Sequence, residues 1–271
     1  MGLLKKLNNL KKIILDSKSA IIAFSGGVDS SFLLFIASKV LSRDKLLAVT
    51  ANSPTYPKQE LAVAKKIASS FRVKHRIINT RELNDRRFVS NPKNRCYFCK
   101  KELFSSLKHI ARKDSLNNIF DASSISDKKD FRPGIKAKIE LGVRSPLQEA
   151  GLIKSEIRCL SKMLGLNNWN KPSLACLASR IPYGIPVTRR ILRRIEDGEV
   201  FLAKMGFEQV RLRHYNGLCR IEVLKKDIPR LILMSKRIID KLKRLGYNYI
   251  TVDLEGYRSG SMNPASAGRG W

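Results

Sequence analysis

The sequence predicts an α/β protein: a doubly wound, mostly parallel sheet followed by a small α+β C-terminal domain. Two observations predict the sheet. Short apolar runs of strand length alternate with helical periodicities through the first two thirds of the chain, the pattern of parallel strands joined by crossover helices. The first of these runs also breaks into a Ser/Gly/Asp turn that leads into an apolar helix, as a ligand-binding strand end does. A third observation predicts the second domain, because beyond Gly184 the order changes to helix, two strands, helix and strand.

Residues 3–15 form an amphipathic helix whose lysines interrupt the apolar runs, so it reads as neither a secretory signal nor a membrane span. Position 6 is Lys, against the Ser or Thr expected for myristoylation. Ala20 to Phe24 is the first buried strand, and Phe32 to Leu41 follows the turn at helical spacing. Lys45 to Ala51 is a second strand, and Tyr56-Pro57 opens a helix to Phe71. His75 to Asn79 is a third strand. Asn91 to Lys100 runs into a helix through Ile110, and Asn118 to Ala122 is a strand. The loop from Ser123 to Asp130 leads through Phe131 to Gly134. A short segment, 142–147, precedes a helix from Ala150 to Leu164. Between Trp169 and Gly184 the prolines at 172 and 182 demand an irregular, rigid loop, and the domain boundary falls near it. Thr188 then caps a helix to Met205, Gln209 to His214 and Arg220 to Leu224 are strands, Asp227 begins a helix to Leu245, and Tyr249 to Leu254 is the last strand. The expected domains are 1–170 and 171–257, with a flexible tail at 258–271.

A chain of 271 residues can bury a substantial core without help from disulfides or metal. Its 53 Lys and Arg against 23 Asp and Glu give a net charge of +30, suited to phosphorylated small molecules, nucleic acid or anionic membrane. No apolar stretch is long enough to cross a bilayer, and a cytoplasmic protein with reduced thiols is expected. Its five cysteines then read as ligands, nucleophiles or core residues.

Ser25-Gly26-Gly27-Val28-Asp29-Ser30-Ser31 has the makings of a phosphate loop. Its glycines open the backbone to an anion, its serines add hydroxyls, and a helix N-terminus follows. No Lys follows the glycines, which excludes the loop of kinases and GTPases, and the dinucleotide glycine spacing is absent too. Cys96 and Cys99 have the spacing of half a zinc or iron–sulfur site, with Cys176 the natural third ligand. A redox pair or weak zinc site is the competing reading. Cys159 and Cys219 read as core. Arg211 and Arg213 alternate on one strand and share a face, a costly arrangement unless an anion or carboxylate lies between them. Glu199 and Glu222 could orient them or bind a metal.

In order, these motifs resemble one family, the LarE-type ATP-dependent sulfur transferases of the PP-loop (ATP pyrophosphatase) superfamily, with its Rossmann-like fold. The resemblance rests on Ser25 to Ser30, Asn94 to Lys100, Arg132-Pro133-Gly134, Gly142 to Leu147, Cys176 to Gly184, Val210 to His214 and Gly256 to Asn263. It implies that ATP adenylates a carboxylate of a pyridinium dicarboxylate mononucleotide, that pyrophosphate leaves into the Ser25–Ser31 loop, and that sulfur displaces AMP. Asp29 would sit by ATP and Mg2+, Ser179 and Arg180 would line the reacting centre, and Arg211 and Arg213 would bind the substrate phosphate near Glu199 and Glu222. Some members sacrifice the sulfur of the cysteine matching Cys176. The presence of Cys96 and Cys99 resembles the other branch, in which three cysteines hold a [4Fe-4S] cluster. The family also implies a homo-oligomer, trimer or hexamer, while the sulfur donor stays open. Two alternatives fit the same residues: an iron–sulfur tRNA thiolase using the positive charge to hold RNA, and a zinc-binding nucleotide regulator without catalysis.

Overall fold

The computed structural model describes residues 2–129, 133–172, 175–258 and 260–262. In chain order its helices are α1 (Leu3–Asp16), α2 (Val28–Val40), α3 (Lys58–Ser70), α4 (Arg86–Val89), α5 (Arg95–Lys113), α6 (Gly134–Glu140), α7 (Pro146–Glu149), α8 (Lys154–Met163), α9 (Arg189–Lys204), α10 (Ile228–Leu233) and α11 (Ser235–Arg244). The chain divides into two compact units, Met1–Glu82 with Asn94–Leu174, and Leu83–Lys93 with Ala175–Trp271.

In the first unit, β1 (Ala20–Ala23), β2 (Leu46–Asn52), β3 (Lys74–Asn79) and β4 (Asn118–Phe120) form a sheet in the order β3-β2-β1-β4. Every pair is parallel, with Ala20 opposite both Leu46 and Asn118. Alternation along β1 sends Ala20 and Ile22 to one face and Ile21 to the other. The first face packs on Leu10 and Ile14 of α1, on α2 and on Ile157 and Leu160 of α8, while Ile21 packs with Leu47, Val49 and Phe104, Leu107 and Ile110 of α5. With both faces covered, the central strands β1 and β2 read as nearly continuous apolar runs. Phe32, Leu33, Leu34 and Ile36 of α2 are all buried, each stabilising the unit by about 1.5–3 kcal/mol relative to exposure. That burial fixes the start of α2 against the end of β1.

In the second unit, β5 (Val210–Tyr215) and β6 (Leu218–Val223) are antiparallel, and β7 (Tyr249–Val252) runs parallel to β6. Asn216-Gly217 is the two-residue hairpin turn, with Asn216 at φ +53°. Helix α9 lies against β5 so closely that a Cβ at Gly198 would stand 2.5 Å from Leu212 Cδ2.

Residues 83–93 fall in the second unit for a visible reason. The buried Asn91 donates from Nδ2 to the carbonyls of Pro182 (2.7 Å) and Ile185 (2.9 Å) and accepts from Gly184 N–H, while Val187 N–H bonds the Val89 carbonyl. This stretch thus supplies the hydrogen bonds that the proline-interrupted loop cannot make within itself.

Several elements differ from the sequence expectation. The helix expected from Ala150 begins at Lys154, because residues 146–149 form α7 and Gly151 turns at φ +74°. The single helix expected from Asp227 to Leu245 is two, α10 and α11, parted at Met234. Helix α2 begins at Val28, inside the stretch read as a turn. Of the expected tail, Ser259 and residues 263–271 lie outside the described residues, as do Asp130 to Arg132 and the Ser173-Leu174 pair. Ser261 and Met262 are described, and both are bonded within the second unit.

Candidate active site

Strand order places β1 between β2 and β4, so the loops leaving β1 and β4 part company at their carboxyl ends, where doubly wound sheets bind ligands. After β1, Phe24 N–H still bonds the Val49 carbonyl, and the chain then turns sharply at Gly26, φ +72°. A Cβ there would lie 3.1 Å from the Cα of Ala64 on α3, so both backbone conformation and space demand glycine. Gly27 is the N-cap of α2 and offers no side-chain acceptor, and a helix start without a side-chain cap suits an anion.

The hydroxyls shape this loop. Ser25 Oγ lies 3.0 Å from Ser30 Oγ and accepts from Gly27 N–H at 3.3 Å, while Ser30 Oγ donates to the Gly27 carbonyl at 3.2 Å. Tyr56 Oη donates to the Ser25 carbonyl, and Asn168 Nδ2 donates to the Gly26 carbonyl and to Ser31 Oγ. Ser30 and Ser31 are buried and hold the loop's form. Asp29, half-buried in the first turn of α2, complements the helix dipole and would repel phosphate unless a divalent cation came between. An oxygen donor at that place fits Mg2+.

After β4 comes Asp121, which accepts from Ser123 Oγ at 2.6 Å and from Ser145 Oγ. Lys138 Nζ is 2.7 Å from Ser145 Oγ and 3.8 Å from Asp121.

Cys96 and Cys99 stand three residues apart in the first turns of α5, on one helix face, with Cys96 exposed and Cys99 half-buried. Both belong to the first unit. Cys176 belongs to the second, half-buried at the head of the single turn Leu177–Arg180. A thiolate is the donor that an iron–sulfur cluster takes. Among the described residues, no three His, Cys, Asp or Glu side chains are arranged to hold a metal ion. Cys219 is buried, and burial pushes its thiol up to about 12. Cys159, expected in the core, is exposed on α8 with its sulfur 4.0 Å from Met163 Sδ; Ile157 and Leu160 take the inward positions instead.

The second unit gathers arginines. Arg180, wholly buried, pairs bidentately with Glu199 at 2.9 and 3.0 Å. Its Nη1 holds the carbonyls of Ala175 (2.8 Å) and Cys176 (3.2 Å), so this ion pair fixes the backbone that carries Cys176. Glu199 also accepts from Leu212 N–H at 2.9 Å, tying α9 to β5. Arg211 stacks over Tyr257, and burial, then the nearby Arg180 guanidinium, lower its pKa. Arg213 donates to Glu222 at 2.6 Å, to Ser261 Oγ at 2.9 Å and to the Ser179 carbonyl at 3.2 Å. Glu222, fully buried, also accepts from Arg220 and Ser261. Its oxygens thus orient two arginines.

Sequence reasoning missed Arg220, Ser261, Tyr257, Asn168 and Asn91. Arg220 and Glu222 were legible as a period-two pair facing β5; the others depend on contacts distant in sequence.

Residues 19–92 match the family described as queuosine biosynthesis protein QueC. An uncharacterized protein of Synechocystis is 38% identical over 95% of this chain and 97% of its own length. The pyridinium-3,5-bisthiocarboxylic acid mononucleotide synthase of Lactiplantibacillus plantarum is 36% identical over 92% of this chain and 90% of its own. An NH(3)-dependent NAD(+) synthetase of Thermoplasma volcanium is 40% identical over 28% of this chain and 31% of its own. No helix among the described residues is long and apolar enough to cross a membrane.

Proposed function

The chain belongs to the LarE family of ATP-dependent sulfur transferases, and on that premise we propose that it converts carboxylates of pyridinium-3,5-biscarboxylic acid mononucleotide to thiocarboxylates. A substrate carboxylate oxygen attacks the α-phosphorus of ATP, and the bond to the β-phosphate breaks with its electron pair leaving on pyrophosphate. The Ser25–Ser31 loop receives that pyrophosphate, and Asp29 would hold Mg2+, which would supply positive charge to the phosphates. A sulfur nucleophile then attacks the acyl carbon, and AMP leaves with the carboxylate oxygen. Adenylation thereby turns a poor leaving group into a good one.

The observation that carries this reading is the buried Arg211 and Arg213 on one face of β5, with Arg211 stacked on Tyr257 and Arg213 braced by Glu222. Burial beside other guanidiniums raises the energy of the charged Arg211, and a dianionic phosphate relieves it. Ser179 lines the reacting centre beside Cys176, and the buried Arg180 holds the backbone there. Cys96, Cys99 and Cys176 would hold a [4Fe-4S] cluster, which when bound supplies sulfide for transfer. The protein acts in the cytoplasm as a homo-oligomer, trimer or hexamer.

The test is turnover by anaerobically purified protein given ATP, Mg2+, sulfide and the dicarboxylate mononucleotide. Stoichiometric AMP, pyrophosphate and an oxygen-to-sulfur mass gain in the product are expected. AMP formation without sulfur in the product, or sulfur placed only in RNA, would overturn the assignment. Arg211→Met should raise the KM for the mononucleotide by at least about tenfold and leave the KM for ATP unchanged.

A further inference from the structure

We propose that Lys171 is the cation of the Ser25–Ser31 loop, reaching the phosphates of bound ATP from a segment distant in sequence. Glycines 26 and 27 are followed by Val28-Asp29-Ser30-Ser31, an acid and no base, so the loop itself brings no positive side chain to a polyphosphate. Charge that develops on a leaving pyrophosphate is stabilised best by a cation already in position.

The contacts within the first unit supply one. Ala64 of α3 abuts Gly26, and Glu60 lies one turn before Ala64, where residues four apart share a helix face. Lys171 Nζ is 2.6 Å from Glu60 Oε2, with the two side chains 19% and 10% exposed. The backbone around Lys171 is held from two sides. Asn168 Nδ2 bonds the Gly26 carbonyl and Ser31 Oγ, and Arg158 donates to the carbonyls of Trp169 (2.9 Å) and Lys171 (2.8 Å). What remains adjustable is the four-carbon stem of the lysine, a flexible carrier of a compact charge.

Glu60 keeps the ammonium beside the loop while the loop is without nucleotide. The several charges of a polyphosphate outcompete one carboxylate, so Lys171 turns from Glu60 to the oxygen bridging the α- and β-phosphates. As that bond breaks, the electron pair passes to the bridging oxygen, and Lys171 stabilises the new charge while keeping its own proton. The assignment rests on the reading of the loop as an ATP site.

The experiment is calorimetric binding of α,β-methylene ATP with Mg2+ to the full chain, with thermal unfolding of each variant as a check on folding. Lys171→Met and Glu60→Gln break the same ion pair, so a purely structural bridge predicts equal losses. The proposal predicts that K171M weakens binding by at least about tenfold, while E60Q binds as tightly as wild type or more tightly and K171R stays within a few-fold. Unchanged binding by K171M, or equal weakening by K171M and E60Q, overturns the role of Lys171. If wild-type protein itself fails to bind the analogue, the ATP reading of the loop falls and this assignment with it.

Discussion

The hydroxyl and amide bonds that shape the Ser25–Ser31 loop from within join residues no more than five positions apart. Around Arg213, the partners lie 9, 34 and 48 positions away, and Arg180 meets Glu199 across 19. One centre is made of backbone, with glycine at the point of closest approach and serines as braces. The other is made of buried charged side chains drawn from a loop, a helix, two strands and the described C-terminal residues. A centre of the first kind fails when the backbone cannot follow its path, and one of the second kind fails when a charge loses its partner.

The largest expected effect separates the two kinds at once. Glu199→Ala leaves Arg180 buried without its carboxylate, and a loss of about 3–5 kcal/mol in urea unfolding is expected. A loss below about 1 kcal/mol would mean that water reaches Arg180 and that the charged centre is less dry than its burial implies. Next comes Gly26→Ala, which forces a methyl group toward Ala64 at a left-handed backbone position. A smaller destabilisation of about 1–3 kcal/mol is expected, together with loss of ATP binding measured by calorimetry. Retained ATP affinity would break the claim that backbone path alone makes the first centre.

A last effect, spread over several pH units, sharpens the comparison through pH. His214, next to Arg213 on β5, is buried beside Tyr247, and burial, then Arg194, lower its pKa to about 4 from 6.5. The folded protein therefore holds the imidazole neutral where the unfolded chain protonates it. Stability should fall as pH drops from about 6.5 toward about 4, by up to about 1.4 kcal/mol per pH unit. His214→Asn should flatten that slope in thermal unfolding scans across this range, and an unchanged slope would assign it to other groups.

The same contrast explains what was legible in the sequence. The parallel sheet and the loop were readable because apolar runs, glycines and serines act over a few residues. Even there the helix start was misjudged: Asp29, Ser30 and Ser31 favour turns by composition, but the burial of Phe32 to Ile36 draws the helix back to Val28. Arg211 and Arg213 could be placed on a common face by alternation, whereas Ser261 against Arg213 and Lys171 against Glu60 leave no local trace. The Asn216-Gly217 hairpin carried a strong local signal that the strand assignment did not use. Cys159 was misread because a thiol next to inward-facing residues on a short helix can point either way.

The clamp of Asn91 on the proline loop has a consequence for biosynthesis. Its acceptor at Ile185 comes 94 residues later in the chain. During translation, the stretch around Asn91 emerges long before the loop it will fasten, and this contact closes late, as distant pairings do. The smaller unit is therefore an unsuitable fragment to express alone: a clone begun at Ala175 would omit its own fastener, and adding a peptide spanning 83–93 should restore the order that such a clone lacks.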